Sequence, residues 1–407
     1  LIVFSRTTSF TVVVAAGVAT LTAASAPSPL YPVYQRLWGF SAFTLTLIFA
    51  AYVIALLAAL LTIGSLSDRI GRRPIASGAL VLLVLGMLEF AVADGVGALV
   101  AARVVQGFAV GAATGTVTAM IIDTARTPRV GAIVSSAAPS LGIAVGAVLA
   151  GGLVEYAPLP RQLIFWVLAG MYLVLSVLVW WVPEVDREER PIREPLWRSL
   201  LPSAGLPSST RAVFVTALPA ICAAWALAGL YLSLGSSVIG TVLAVHNHLV
   251  VGTVLGVFFV AGIGGTWVSS GLPRRIHETA GYAGLVVGTG MTTGAVLFHT
   301  MSLYVIGSAV AGIGYGATFR NVVDELGRAA PAAQRGQVFA TMYIASYTAF
   351  SLPALMAGIA VERYGLDLTT IGYGLLVITL TLVAATASMA RLRGVHHDSP
   401  THSEASD

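Results

Sequence analysis

Apolar residues run through this chain in long blocks, and the polar residues are confined to short gaps between them. No alternation of period two appears, and few helical stripes have a polar back. Windows of about 20 charge-poor residues, the length needed to cross a bilayer core, recur twelve times, at about 9–31, 41–64, 74–93, 96–122, 131–154, 163–183, 212–235, 249–270, 280–298, 301–325, 336–360 and 368–390. The pattern predicts an all-α membrane protein of twelve transmembrane helices. The one long polar gap, 184–211, separates six windows from six. It sets the expected domains: a six-helix bundle at 1–183, a cytoplasmic linker at 184–211, a second bundle at 212–393 and a disordered tail at 394–407.

Composition agrees with lipid as the solvent: 57% of the 407 residues are hydrophobic, only 10% are charged, and mean hydropathy is +0.87. The net charge of +4 is scattered between apolar runs and offers no basic face for nucleic acid. All 22 basic residues are Arg, so a phosphate-binding loop that needs Lys is absent and built-in ATP hydrolysis is excluded. Cys222 is the single cysteine, which rules out an internal disulfide, and no metal site or cofactor is expected. With the N-terminus in the cytoplasm, 17 Arg fall in cytoplasmic segments while Arg36, Arg161 and Arg363 fall outside. The positive-inside rule therefore predicts a bacterial plasma-membrane protein with both termini cytoplasmic. Only Arg103 and Arg320 remain at membrane depth.

A shift of 205 residues carries Gly107 to Gly312, Gly111 to Gly316, Gly131 to Gly336 and Arg69 to Arg274, as two parallel repeats would. The sharpest local motif is GSLSDRIGRRP, Gly64 to Pro74, after the second window. Gly64 and Gly71 suit a tight turn, and Asp68 can cap a helix or pair with an arginine. A second motif, RVVQGFAVGAATG, runs from Arg103 to Gly115 in the fourth window.

Together these segments resemble the signature motifs of the major facilitator superfamily, and PSPLYPVYQRLWGF, Pro27 to Phe40, is similar to a group of actinobacterial members. The resemblance covers nearly the whole chain. It implies two pseudo-symmetric six-helix bundles and solute transport by alternating access, with no enzymatic chemistry and a monomer as the default. It also implies a gating network of Gly64, Asp68, Arg69, Gly71, Arg72, Arg73 and Asp123 that closes the cytoplasmic side. In the second half the matching loop, SGLPRRIHET, has Pro273 where the shift places an Asp, so that copy is degenerate.

Arg103 has two open readings: an aid to proton movement, as the family pattern implies, or a structural cation satisfied by carbonyls near the first helix. Glu89 is either a proton-coupling carboxyl in an apolar setting or an interfacial group beside Asp94. The resemblance places the solute cavity on helices 1, 4, 7 and 10, where Thr22, Ser25, Arg103, Gln106, Trp225, Tyr231, Tyr315, Thr318, Arg320 and Asn321 are the polar and aromatic candidates. Tyr343 and Tyr347, one turn apart in the eleventh window, join them. For each aromatic, bundle packing is the competing role, and Arg320 can instead pair with Asp324 at i+4.

Gly107, Gly111, Gly142, Gly146 and Gly151 are helix-packing candidates. The stretch LGIAVGAVLAGGL, Leu141 to Leu153, is similar to the family's antiporter motif, with Ala147 where that motif has Pro. His299 and the His246, Asn247, His248 trio are expected to be surface polarity in outer loops. The expected function is proton-coupled export of a small, partly apolar organic solute. Symport or facilitated uptake of a sugar or organic acid is the alternative. A membrane-embedded enzyme or a sensor is a remote third, because neither an Asp cluster nor a sizeable soluble domain is present.

Overall fold

The computed structural model describes residues 3–63, 66, 70–184, 204–269 and 273–397. The helices are α1 Arg6–Ser25, α2 Ala42–Ile63, α3 Arg72–Val92, α4 Val96–Thr124, α5 Pro128–Tyr156, α6 Leu163–Leu178, α7 Ser208–Ser233, α8 His248–Ser269, α9 Arg274–Leu297 and α10 Met301–Ala329, followed by a continuous run, Arg335–His397. That last run breaks at Gly365, where φ is 79° and ψ 167°. Its apolar part is 56 residues long, more than twice the roughly 20 residues that cross a bilayer core. It is two spans, α11 before Gly365 and α12 after it, so the eleven apolar runs carry the twelve predicted crossings. The last helix continues to His397, into the stretch expected to be a disordered tail, and α7 starts at Ser208, inside the expected linker. Residues 185–203 and 398–407 lie outside the described residues, as do Gly64, Asp68 and Arg69.

The bundle is apolar on its outside. Ile54, Val268 and Met356 expose 65%, 67% and 63% of their surface, a distribution that would aggregate in water and is satisfied by acyl chains. Several hydroxyls inside the helices are satisfied locally: Thr20 donates to Ala16 O at 2.7 Å and Ser308 to Tyr304 O at 2.7 Å.

Helix packing repeats with a shift of six. In the first half α1 packs on α4 and α5, α2 on α4, and α3 on α4 and α6. In the second, α7 packs on α10 and the Arg335–His397 run, α8 on α10, and α9 on α10 and the same run. The glycines show why. A Cβ at Gly107 or Gly111 would overlap the Tyr52 or Leu56 carbonyl of α2, and one at Gly312 or Gly316 would overlap the Phe258 or Gly262 carbonyl of α8. Backbones meet there because no side chain intervenes. The third pair does not share this role: Gly131 packs on Ile122 and Ala125, whereas Gly336 faces open space.

The two halves touch through α2 with α11 and α5 with α8. The close approaches run from the end away from the termini, here the loop end, to about mid-span. Gly358 meets Phe43 and Thr46, Gly252 meets Ala147, and the Phe49 and Phe350 rings lie 5.0 Å apart. Cross-half hydrogen bonds cluster at the same end. Ser28 Oγ donates to Leu232 O at 2.9 Å, Phe43 N–H to Glu362 Oε1 at 3.4 Å, and His248 N–H to Glu155 Oε2 at 2.9 Å.

Candidate functional site

Arg103, in the first half of α4, is completely buried. Its Nε–H donates to Tyr31 Oη at 2.9 Å, and Nη1 to Gln106 Oε1 at 2.6 Å and Ala24 O at 3.2 Å. Nη2 also bonds Tyr31 Oη. The rings of Tyr31, Tyr52 and Phe90 surround the guanidinium at 5.4, 5.2 and 5.7 Å. Gln106 Nε2 donates to Ala23 O at 2.6 Å, which holds its carbonyl toward Arg103. These acceptors and π faces are all neutral, so the cation is solvated by the protein, and among the described residues no carboxylate pairs with it. Tyr31 and Tyr52 belong to this centre although sequence reading did not single them out. Tyr31 is the last residue of the first predicted window, and the helical path runs past it, through Ser28–Leu30 into Tyr31–Trp38.

The second half presents an aromatic wall. The Trp225 ring on α7 lies 5.6 Å from Phe319 on α10, 4.9 Å from Tyr347 and 5.8 Å from Phe350 on α11. Tyr343 stacks on Tyr347 at 6.3 Å, and Tyr315 on Phe319 at 6.5 Å. Trp225, Tyr315, Phe319, Tyr343 and Tyr347 are all half-buried. Two buried donors here have no partner, Trp225 Nε1 and Ser346 Oγ. Such groups cost about 1–3 kcal/mol each unless something else bonds them.

Other candidates point elsewhere. Thr22 and Ser25 bond backbone carbonyls of α5, Gly142 O at 3.2 Å and Ile143 O at 2.7 Å. Tyr231 is buried against Phe258 at 4.2 Å and donates to Ser308 Oγ at 2.6 Å. Thr318 lies against Gly281 of α9, and Asn321 is buried. Arg320 Nε sits 3.5 Å from Asp324 Oδ2, with both side chains more than a third exposed. Glu89 is half-buried, with Oε2 enclosed and unpartnered. Gly142 and Gly146 receive the α1 backbone at Val18 and Thr22, whereas Gly151 receives His248 of α8, so the three do not serve one neighbour.

At the end that carries the termini, Arg72 at the start of α3 forms an ion pair with Asp123 near the end of α4, and its N–H donates to Glu184 Oε1 at 3.0 Å. Gly71, with φ 125°, supplies the turn before it. Arg6 Nη2 donates to Ala125 O at 2.5 Å and so caps the negative end of α4. Arg73 opens the same helix beside Arg72.

The His246–His248 trio, expected as surface polarity, is a clasp between halves. His248 Nδ1 lies 2.8 Å from Glu155 Oε2, and Asn247 Nδ2 donates to Tyr156 Oη at 3.0 Å. Both acceptors belong to the last turn of α5.

Comparison with known proteins agrees with this geometry. The family model of the Major Facilitator Superfamily matches residues 13–354. A triacylglyceride transporter of Mycolicibacterium hassiacum is 32% identical over 168 residues, 40% of this chain and 31% of the relative. The 3-(3-hydroxy-phenyl)propionate transporter of Escherichia coli K12 is 36% identical over 139 residues, 34% of each. The chain thus spans about a third of the length of the curated relatives it matches. Crystal structures of a bacterial homologue of the human lysosomal transporter Spinster, one inward-facing and unoccupied, one inward-facing and occupied, superpose with TM-scores of 0.74 and 0.73 at 13% and 14% identity. Each alignment covers 95% of this chain and 98% of that one. The chain belongs to the Major Facilitator Superfamily.

Proposed function

We propose that this protein is a proton-coupled antiporter that exports a small organic solute, with an apolar or aromatic body and a weakly polar or anionic head, across a bacterial plasma membrane. The observation that carries the solute class is the wall formed by Trp225, Phe319, Tyr343 and Tyr347, whose indole N–H and neighbouring Ser346 hydroxyl lack partners. Such a surface gains from an apolar body and from an acceptor placed on the orphan donors. The buried cation at Arg103 sets the potential of the facing half and favours neutral or anionic over cationic solutes. Thr22, Ser25, Tyr231 and Thr318 form the frame behind the cavity.

In this reading both termini are cytoplasmic, the monomer is the working unit, and the cross-half contacts at the loop end put the molecule in an inward-facing state. Arg72 and Asp123, with Asp68, Arg69 and Gly64 of the same motif, form the cytoplasmic gate that favours the opposite state. Glu89, with its unpartnered oxygen, carries the proton, and Arg103 tunes the helix network around it. The Gly142 and Gly146 approach to α1 supports antiport through its likeness to the family's antiporter motif. A second reading, co-directional uptake of an aromatic acid, is favoured by the name of the phenylpropionate relative and by the neutral surroundings of Arg103.

Proteoliposomes with a pH-sensitive dye inside separate the two. Amphiphilic amines, sugars and aromatic carboxylates are added in turn, and proton movement opposite to the solute supports antiport. Movement in the same direction replaces it with symport, and solute flux without proton movement removes the coupling.

A further inference from the structure

A cavity of about 550 Å³ lies at the loop end, away from the aromatic wall. Its lining comes from both halves: Pro29, Pro32, Gln35, Arg36 and Ala42 from the first, and residues 234–251 with Val361 and Leu366 from the second. The volume lies within the roughly 300–1,000 Å³ range of small-molecule sites. Arg36, His246 and His248 are the ionisable side chains on its surface, and no Asp or Glu lines it. The ring of His248 is already engaged by Glu155, which leaves Arg36 as the permanent charge.

Ser236, Ser237 and Thr241 add hydroxyl groups to the lining. Ser237 Oγ reaches Gln35 Oε1 at 3.5 Å across the two halves. Ser236, only 2% exposed, has no partner for its hydroxyl. An enclosed hydroxyl without a partner, on a residue that lines a cavity beside a cation, gains from a ligand oxygen it can turn toward. Leu234, Val251, Val361 and Leu366 supply apolar lining.

We propose that this cavity is a second ligand site, separate from the transport wall, for a small organic anion. Its carboxylate meets Arg36 and the Ser236 hydroxyl while its apolar body rests on the prolines and aliphatic side chains. The site exists only while the two halves are closed around it. Occupancy therefore selects the closed loop end and slows turnover without competing at the Trp225 wall, by its differential affinity for one state.

Calorimetry on the purified full chain in detergent tests the site without any transport assay, so its outcome does not depend on the coupling proposed above, and binding at this cavity is separated from binding at the wall by which variant removes it. The probe is benzoate, with benzamide as its neutral counterpart. At this cavity one benzoate binds per chain, distinct from any bound at the Trp225 wall; benzamide binds there about tenfold more weakly, and Arg36→Gln lowers the affinity of this site for benzoate by about tenfold or more. Arg36 is exposed, so that variant folds. Trp225→Phe, which alters only the distant wall, changes the affinity by less than about threefold. The proposal is overturned if benzoate gives no heat up to about 10 mM, if benzamide or Arg36→Gln matches the wild-type value, or if Trp225→Phe removes the binding.

Discussion

At the residue scale the account rests on two side chains with opposite situations. Arg103 is fully buried and bonded by neutral acceptors, and Tyr31 Oη alone takes both Nε and Nη2. Tyr31→Phe removes that acceptor and leaves the guanidinium short of partners. It should destabilise the protein by about 1.5–3 kcal/mol, seen as a lower melting temperature in detergent, while Arg36→Gln melts like the wild type. An unchanged melt for Tyr31→Phe would mean the hydroxyl is not a working partner. Trp225 is the reverse case, a buried donor with nothing to bond. Trp225→Phe should leave the melting temperature unchanged or raise it, because an unsatisfied group is lost, yet weaken solute binding by about tenfold. Equal KM values in wild type and variant would detach the indole N–H from the solute.

At the element scale, the long apolar windows made every helix legible, because lipid demands about 20 apolar residues for each crossing. The faces of those helices were not legible. When both the packed and the lipid-facing sides are apolar, a helix has no amphipathic direction to read, so Thr22 and Ser25 were grouped with the cavity although their hydroxyls bond α5. The His246–His248 trio does sit in the loop that opens α8, as expected, but its residue types did not show that Asn247 and His248 clasp α5. Glycine was the better guide, since a missing side chain marks a close approach whatever the solvent. The Gly107 and Gly312 pair, found from the 205-residue shift, makes equivalent contacts in the two halves. Gly107→Ala and Gly312→Ala should each cost about 1–3 kcal/mol, whereas Gly115→Ala and Gly290→Ala, which meet open space, should be neutral in the same thermal melts. Comparable losses at all four would mean that helix flexibility, not close approach, is what the glycines supply.

At the scale of the whole molecule, the short sequence motifs led to the family, and the family pattern led to the Arg72 and Asp123 pair, which joins two different helices. The aromatic wall depends on α7, α10 and α11 converging, which no local pattern encodes, and Phe319 and Phe350 were invisible until the helices were placed. The central claim is that two six-helix halves rock about a shared cavity, closing one end as the other opens. The most direct test is a pair of spin-label distances in liposomes, one between α2 and α11 at the loop end and one between α4 and α10 at the end bearing the termini, each with and without a transported solute and a pH step. Alternating access predicts that the two distances change in opposite directions. Changes of the same sign, or none at either end while solute is moving, would contradict it.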